Sequence, residues 1–301
     1  MDRQAASSRD YFWDSLRAFL MLLGIPYHVA LSYQPGQDFI VHSGEGVVGF
    51  SQFAAVVHLF RMPAFFVIAG YFALLMLAKR EPAVWLKGRF LRLGLPFVAS
   101  LVMLVPFMNL VCELSNFPLP EALRSWAANS LTSGGYWVRH LWFLIVLLYF
   151  CTAAAFVVMC APNLKNAFSE RSLDGWAARH FLIVLLVLGA IVGAWEALVL
   201  EGFYKAGLAT QVPQQILRLD EVIIYMPWFV LGRVLAGAQR TMERMRCFQV
   251  PVVLIAFVST ILWFAVYRDA HPMVERFVGA FAALAITQVI ISVACSVLDR
   301  P

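Results

Sequence analysis

The chain has 301 residues, of which 61% are hydrophobic and 14% charged, with a mean hydropathy of +0.76. A soluble domain carries roughly 45–50% apolar and about 25% charged residues, so this composition excludes an ordinary soluble fold and points to an all-α polytopic membrane protein. The net charge of +5 does not imply nucleic acid as a partner, because its Lys and Arg residues fall by loop, as membrane topology requires.

Taken in order, the hydrophobic runs predict eight spans, at about 11–33, 50–78, 90–113, 138–160, 180–200, 220–238, 249–267 and 277–297. The first run has no small-residue cleavage site, so it is expected to remain as a span rather than act as a secretory signal. With the N-terminus in the cytoplasm, Arg3 and Arg9, the basic residues of 79–92, Lys165, Arg171, Arg179, those of 233–246 and Arg300 make fifteen inside. Arg124, Arg139, Lys205, Arg218, Arg268 and Arg276 make six outside. That imbalance predicts a cytoplasmic N-terminus and, with eight spans, a cytoplasmic C-terminus. No internal repeat or low-complexity segment breaks the chain, so residues 1–301 are expected to form a single domain. The loop 114–137 contains Pro118, Pro120 and the Gly134–Gly135 pair, and a short interfacial helix is expected near Glu121 to Leu131. Trp126, Tyr136, Trp137 and Trp142 fit an aromatic belt at the membrane surface. The cysteines, at 112, 151, 160, 247 and 295, form no CxxC pair, so no metal or redox site is expected. Most of them read as small buried apolar residues.

Four constellations carry chemistry. The first lies in RDYFWDSLRAFLMLLGIPYHVALSY, residues 9–33. A helix advances ~100° and ~1.5 Å per residue, so Arg17 and His28 share a face roughly 16 Å apart, with Asp14 one turn before Arg17 and with Met21 and Gly24 between them. Charged residues within a span face a wet or protein interior. A neutral imidazole there is able to accept a proton as a general base, and Pro26 removes a backbone donor and bends the helix. The bland alternative is an interhelical hydrogen bond that holds the bundle. The second constellation is HLFRMPAFFVIAGYF, which places His58 and Arg61 one turn apart ahead of Pro63, with Gly70 permitting close packing. Arg61 falls near mid-membrane and needs a partner or a ligand. The third is KREPAVWLKGRFLRLGLP. Arg89 and Arg92 lie three apart on one expected helix face and suit a phosphate clamp, or else serve topology and anionic lipid. The fourth is RHLWFL, where His140 reads as a solvated cap and Trp142 as an interface anchor. Glu196 lies within a span without a nameable partner. His42, His180 and His271 follow no pattern.

These segments, together with the GLP that follows Arg92, resemble the membrane acyltransferase-3 family, and within it the members that succinylate osmoregulated periplasmic glucans. The likeness is clear over about 9–150 and weak beyond. It implies transfer of an acyl group, succinyl foremost, from cytoplasmic acyl-CoA to a hydroxyl of an extracytoplasmic glycan at the bacterial inner membrane. It makes His28 the catalytic residue and Arg17 its motif partner in donor positioning. Arg89 and Arg92 then contact the donor, Arg61 and His58 position the acyl group, and Asp14 is the structural partner of Arg17. Acyl-CoA is a co-substrate, with no bound cofactor or metal, and the other partners are the glycan acceptor and membrane lipid. Family members typically have ten spans against the eight counted here, which leaves open a chain short at its C-terminal side, a short variant, or one long run that holds more spans than were counted. Both direct transfer and a covalent acyl-enzyme remain open at this point. Two readings from other classes compete: a transporter or flippase for a glycan or organic anion, and a haem protein ligated by His28 and His58.

Overall fold

The computed structural model describes residues 11–35, 43, 45–132, 138–161, 171–208, 212–267 and 270–298. Arg3, Arg9, His42, Gly134, Gly135, Tyr136, Trp137, Lys165, Arg268 and Arg300 lie outside the described residues. Among the described residues every regular element is a helix.

The first hydrophobic run forms two helices, α1 (Tyr11–Leu22) and α2 (Gly24–Leu31). Pro26 has no N–H to give to Leu22, so the ladder is interrupted where α1 ends. Helix α3 (Val48–Lys79) continues through Pro63. Helix α4 (Pro82–Asn116) starts on a proline and holds two widened turns, at Phe90–Gly94 and Ser100–Leu104. Each lies just before a proline, Pro96 or Pro106, that is unable to donate back along the helix. The ladder there slips to i→i+5 bonds.

Next come α5 (Leu119–Thr132), α6 (Arg139–Cys160), α7 (Arg171–Arg179) and α8 (Phe181–Lys205). Helix α8 is widened at Glu196–Leu200. The chain ends with α9 (Val212–Leu217), α10 (Leu219–Gly237), α11 (Gln239–Arg246), α12 (Val250–Val266) and α13 (Pro272–Leu298). The expected interfacial helix corresponds to α5.

Among the described residues, five helices are long and apolar enough to cross a membrane: α3, α4, α6, α8 and α13. The count reaches six if α10 and α11, bent by 110° at their junction, are taken as one span. The sequence reading of eight adds the broken pair α1–α2, whose halves have 12 and 8 residues, and the 17-residue α12.

Helix α3 is the hub, packed by α1, α2, α6, α10 and α13. Its closest approach is to α10. Gly70 lies against the Phe229 carbonyl, and Gly232 lies against the Val67 carbonyl. Two reciprocal glycines let the backbones meet, as small residues do at membrane helix interfaces. Phe66, Ile68 and Leu77 of α3 are fully buried, as are Trp13, Leu16 and Leu20 of α1. By contrast α4 exposes an apolar row including Leu95, Val102, Met103 and Phe107. Of the cysteines, Cys151 is buried while Cys160 and Cys247 are exposed, which corrects the expectation that most are core residues.

Outside the spans, α7 caps α11. The Asp174 carboxylate accepts the backbone N–H of Arg240 and Thr241, each at 2.9 Å, and the Thr241 hydroxyl at 2.7 Å. Burial acts to raise the Asp174 pKa, but these hydrogen bonds outweigh it and hold the carboxyl below its ordinary value.

Candidate active site

The α1–α2 helix pair meets α3 and the start of α6 around a cavity of about 540 Å³, lined by Met21, Gly24, Ile25, Tyr27, His28, Val29, His58, Arg61, Met62, His140, Trp142 and Phe143. The stripe expected between Arg17 and His28 is therefore one wall of the cavity. His28 is half-buried, and its Nδ1 is buried with no hydrogen-bond partner among the described residues. Tyr27 packs on His28 with ring centroids 4.8 Å apart and stacks on His58 at 5.9 Å. Its hydroxyl lies 3.2 Å from His58 Nδ1.

Arg61 enters the same cavity from α3. Its Cζ sits 5.0 Å from the centre of the Tyr27 ring, and its Nε is buried without a hydrogen-bond partner among the described residues. Gly24 makes room for it, because a Cβ at that position would overlap the guanidinium. Among the described residues Arg61 has no carboxylate within ion-pair distance. A cation held this way within a span is available to an anionic or polarised ligand group.

Arg17 lies outside this cavity. It pairs with Asp14 at 3.8 Å, both side chains 43% exposed, and its Cζ is 5.6 Å from the Phe72 ring. The Asp14–Arg17 pairing expected from spacing is present, as a loose and partly solvated contact. Arg89 stacks over Trp85, with its Cζ at 5.2 Å, and feels the charges of Arg17, Arg80 and Arg92. Arg89 is half-buried and Arg92, within the wide turn Phe90–Gly94, is exposed. The seven residues singled out in the sequence thus fall into two groups. His28, His58 and Arg61 share the cavity. Arg17, Arg89 and Arg92 gather with Arg80 in a basic layer, and Asp14 belongs to it through Arg17.

Two cavity residues escaped the sequence reading. His140 is not a solvated cap: its ring centroid lies 4.2 Å from that of His28. Trp142 is not an interface anchor: it stacks on the buried Tyr225 at 5.4 Å, which in turn stacks on Phe66 at 4.7 Å. The signal for both was the HLWFL segment, noticed as part of the resemblance but not as part of the site. Glu196 also has a partner, the Trp228 indole N–H at 3.1 Å.

With this geometry in place, comparison with known proteins identifies the architecture. A family model described as an acyltransferase domain matches residues 10–299, well beyond the segment in which the likeness was legible. Curated relatives named glucans biosynthesis protein C, from Escherichia coli strains K12, SMS-3-5 and O1:K1, are each 30% identical over 235 residues. Each match covers 75% of this chain and 58% of the relative, so the chain spans less than two thirds of their length. No solved structure matches.

Proposed function

Since this chain belongs to the acyltransferase-3 family, we propose that it is a multi-pass membrane O-acyltransferase. It transfers an acyl group, with succinyl the first choice, from cytoplasmic acyl-CoA to a hydroxyl of an extracytoplasmic glucan. The choice of glucan rests on the relatives' printed names, and succinyl rests on the sequence resemblance. The whole chain acts as one domain in a bacterial inner membrane. It crosses the bilayer eight times from a cytoplasmic N-terminus, with the broken pair α1–α2 and the short α12 counted as crossings. The single observation that carries the reading is the cavity lined by both His28 and Arg61, each with a buried nitrogen atom that has no hydrogen-bond partner among the described residues.

The chemistry follows from those two residues. His28 takes the proton of the acceptor hydroxyl as that oxygen attacks the thioester carbonyl carbon. Negative charge gathers on the carbonyl oxygen, and Arg61 is the nearest cation able to meet it or to hold the free carboxylate of a succinyl group. The C–S bond then breaks and the thiolate leaves with a proton returned by His28. His58, held by Tyr27, shapes the acyl pocket beside Arg61. Coenzyme A carries phosphates, and the layer of Arg17, Arg89 and Arg92 suits them, with Asp14 steadying Arg17. Nothing in the scheme requires a bound cofactor.

The test is purified protein in vesicles with labelled succinyl-CoA and a glucan acceptor. Wild type moves label to the glucan. His28→Ala loses about 10²- to 10⁴-fold in rate with its melting temperature unchanged. Should the glucan cross the vesicle wall without gaining label, the protein is a transporter and the enzyme reading fails.

A further inference from the structure

His140 does more than line the cavity. It stands in a single tight turn, Arg139–Leu141, that opens α6. Arg139 adopts a positive φ of 42°, a conformation that a non-glycine residue rarely takes and that collects at functional sites. Its Nε donates to Oδ1 of Asn109, a fully buried residue of α4. On the other side Trp142 is locked in the Tyr225 stack. The residues flanking His140 are thus fixed from two directions, and the result is an imidazole set against the ring of His28.

Resting on the acyltransferase reading, we propose that His140 is the positioning residue for His28, sharing the proton that His28 takes from the acceptor hydroxyl. In the step, the acceptor O–H bond breaks and its proton moves to one nitrogen of His28, while the oxygen forms its bond to the acyl carbon. The positive charge that builds on His28 needs an acceptor for the imidazolium's other N–H. A carboxylate has that task in the Ser-His-Asp triad. Among the described residues no carboxylate lines the cavity, His28 Nδ1 has no hydrogen-bond partner, and the titratable ring closest to His28 is that of His140, packed against it at a 50° tilt. A neutral imidazole has one lone pair to offer for the purpose. Two rings so close do not both hold a positive charge, and Arg61 beside them reinforces that limit. The pair therefore takes up one proton per turnover and returns it to the leaving thiolate when the C–S bond breaks, so that atoms and charge balance without a further reactant.

A structural role for His140 would change stability or substrate binding, whereas a positioning role changes kcat. With labelled succinyl-CoA and glucan, His140→Ala is expected to lose about 10²-fold in kcat while the KM for the donor stays unchanged. His140→Gln, which keeps a neutral acceptor, recovers part of that loss, as does imidazole added to His140→Ala. The double variant His28→Ala/His140→Ala should be no slower than His28→Ala alone, because both residues act on one proton. Where His140→Ala folds poorly, the kcat and KM of His140→Gln carry the same test. The inference is overturned by a kcat equal to wild type, by an effect on KM alone, or by full additivity in the double variant. A wild-type protein that moves no label to the glucan overturns the acyltransferase reading itself, and the proton-sharing role with it; an active wild type with unimpaired His140 variants removes only the latter.

Discussion

Two regions of this bundle handle charge in opposite ways. In the second half, the charges at the contact of α8 with α13 and at the start of α10 are matched by neighbours. Arg276 of α13 pairs with Glu201 of α8, and Lys205 lies 3.7 Å from the same carboxylate. Arg218 pairs with Glu221 and with Asp220, the latter at 3.8 Å. Around the cavity in the first half, Arg61 has a ring face and a glycine but, among the described residues, no acid. A charge within a membrane protein needs compensation. Where the protein supplies it, the charge holds helices together. Where the protein withholds it, the remaining source is a ligand, and Arg61 and His28 are the places to look for one.

The contrast breaks most visibly under paired substitutions of arginine. Arg61→Gln removes a cation with no acidic partner among the described residues, so the fold should keep its melting temperature while transfer falls by about 10²- to 10³-fold. Arg218→Gln does the reverse. It leaves Glu221 and Asp220 uncompensated and should destabilise by about 1–3 kcal/mol, with the transfer rate per folded molecule unchanged. Thermal unfolding in detergent beside a labelled-donor assay reads both. If Arg61→Gln unfolds the protein and Arg218→Gln stops turnover, the roles assigned to the two regions are exchanged.

Glycines sharpen the same comparison with a smaller effect on rate. Gly24→Ala pushes a methyl group into the Arg61 guanidinium, whose long side chain is able to shift. The expected outcome is a stable protein with transfer reduced about tenfold, the displacement costing roughly 1–3 kcal/mol at the site. Gly232→Ala meets the backbone carbonyl of Val67 instead, where nothing gives way without moving a helix. It should lower the melting temperature first and activity only through loss of folded protein. Equal melting curves for the two variants would undo the distinction between a site glycine and a packing glycine.

Local periodicity made part of this site legible. The 3.6-residue repeat put Met21, Gly24 and His28 on one face, and the structure makes that face a cavity wall. It also paired Asp14 with Arg17, and the small size of Gly70 marked a place of close packing, though not that α10 would fill it. The cavity partners of His28 were beyond such reasoning. His140 comes from a helix more than 100 residues later, and its approach depends on the Arg139 backbone and on Asn109 from yet another helix. Trp142 looked like a membrane anchor because it stands at the start of a hydrophobic run. What places it inside is the Tyr225 stack, a contact between segments that share no local pattern. Wide turns were equally hidden, although Pro96 and Pro106 supply their cause. Once the ladder slips, the three-residue spacing of Arg89 and Arg92 no longer fixes a common face.

The smallest expected effect lies in the region where charge is matched, at the junction of α7 and α11. Asp174 satisfies two N–H groups at the start of α11, as an N-cap residue does, although it comes from another helix. Asp174→Ala should cost about 0.5–2 kcal/mol, at the lower end because the site is partly solvated, and should leave transfer per folded molecule unaltered. Its pH dependence has a definite sign. The folded-state pKa lies below the ordinary value of 3.8, so the contribution is complete above that pH and is lost as pH falls through the folded value. The gap in melting temperature between wild type and Asp174→Ala should therefore be full at neutral pH and close in acid below about pH 4. A gap that widens in acid would mean that the carboxylate strains this junction rather than caps it, and that the matched half of the molecule is less settled than its ion pairs imply.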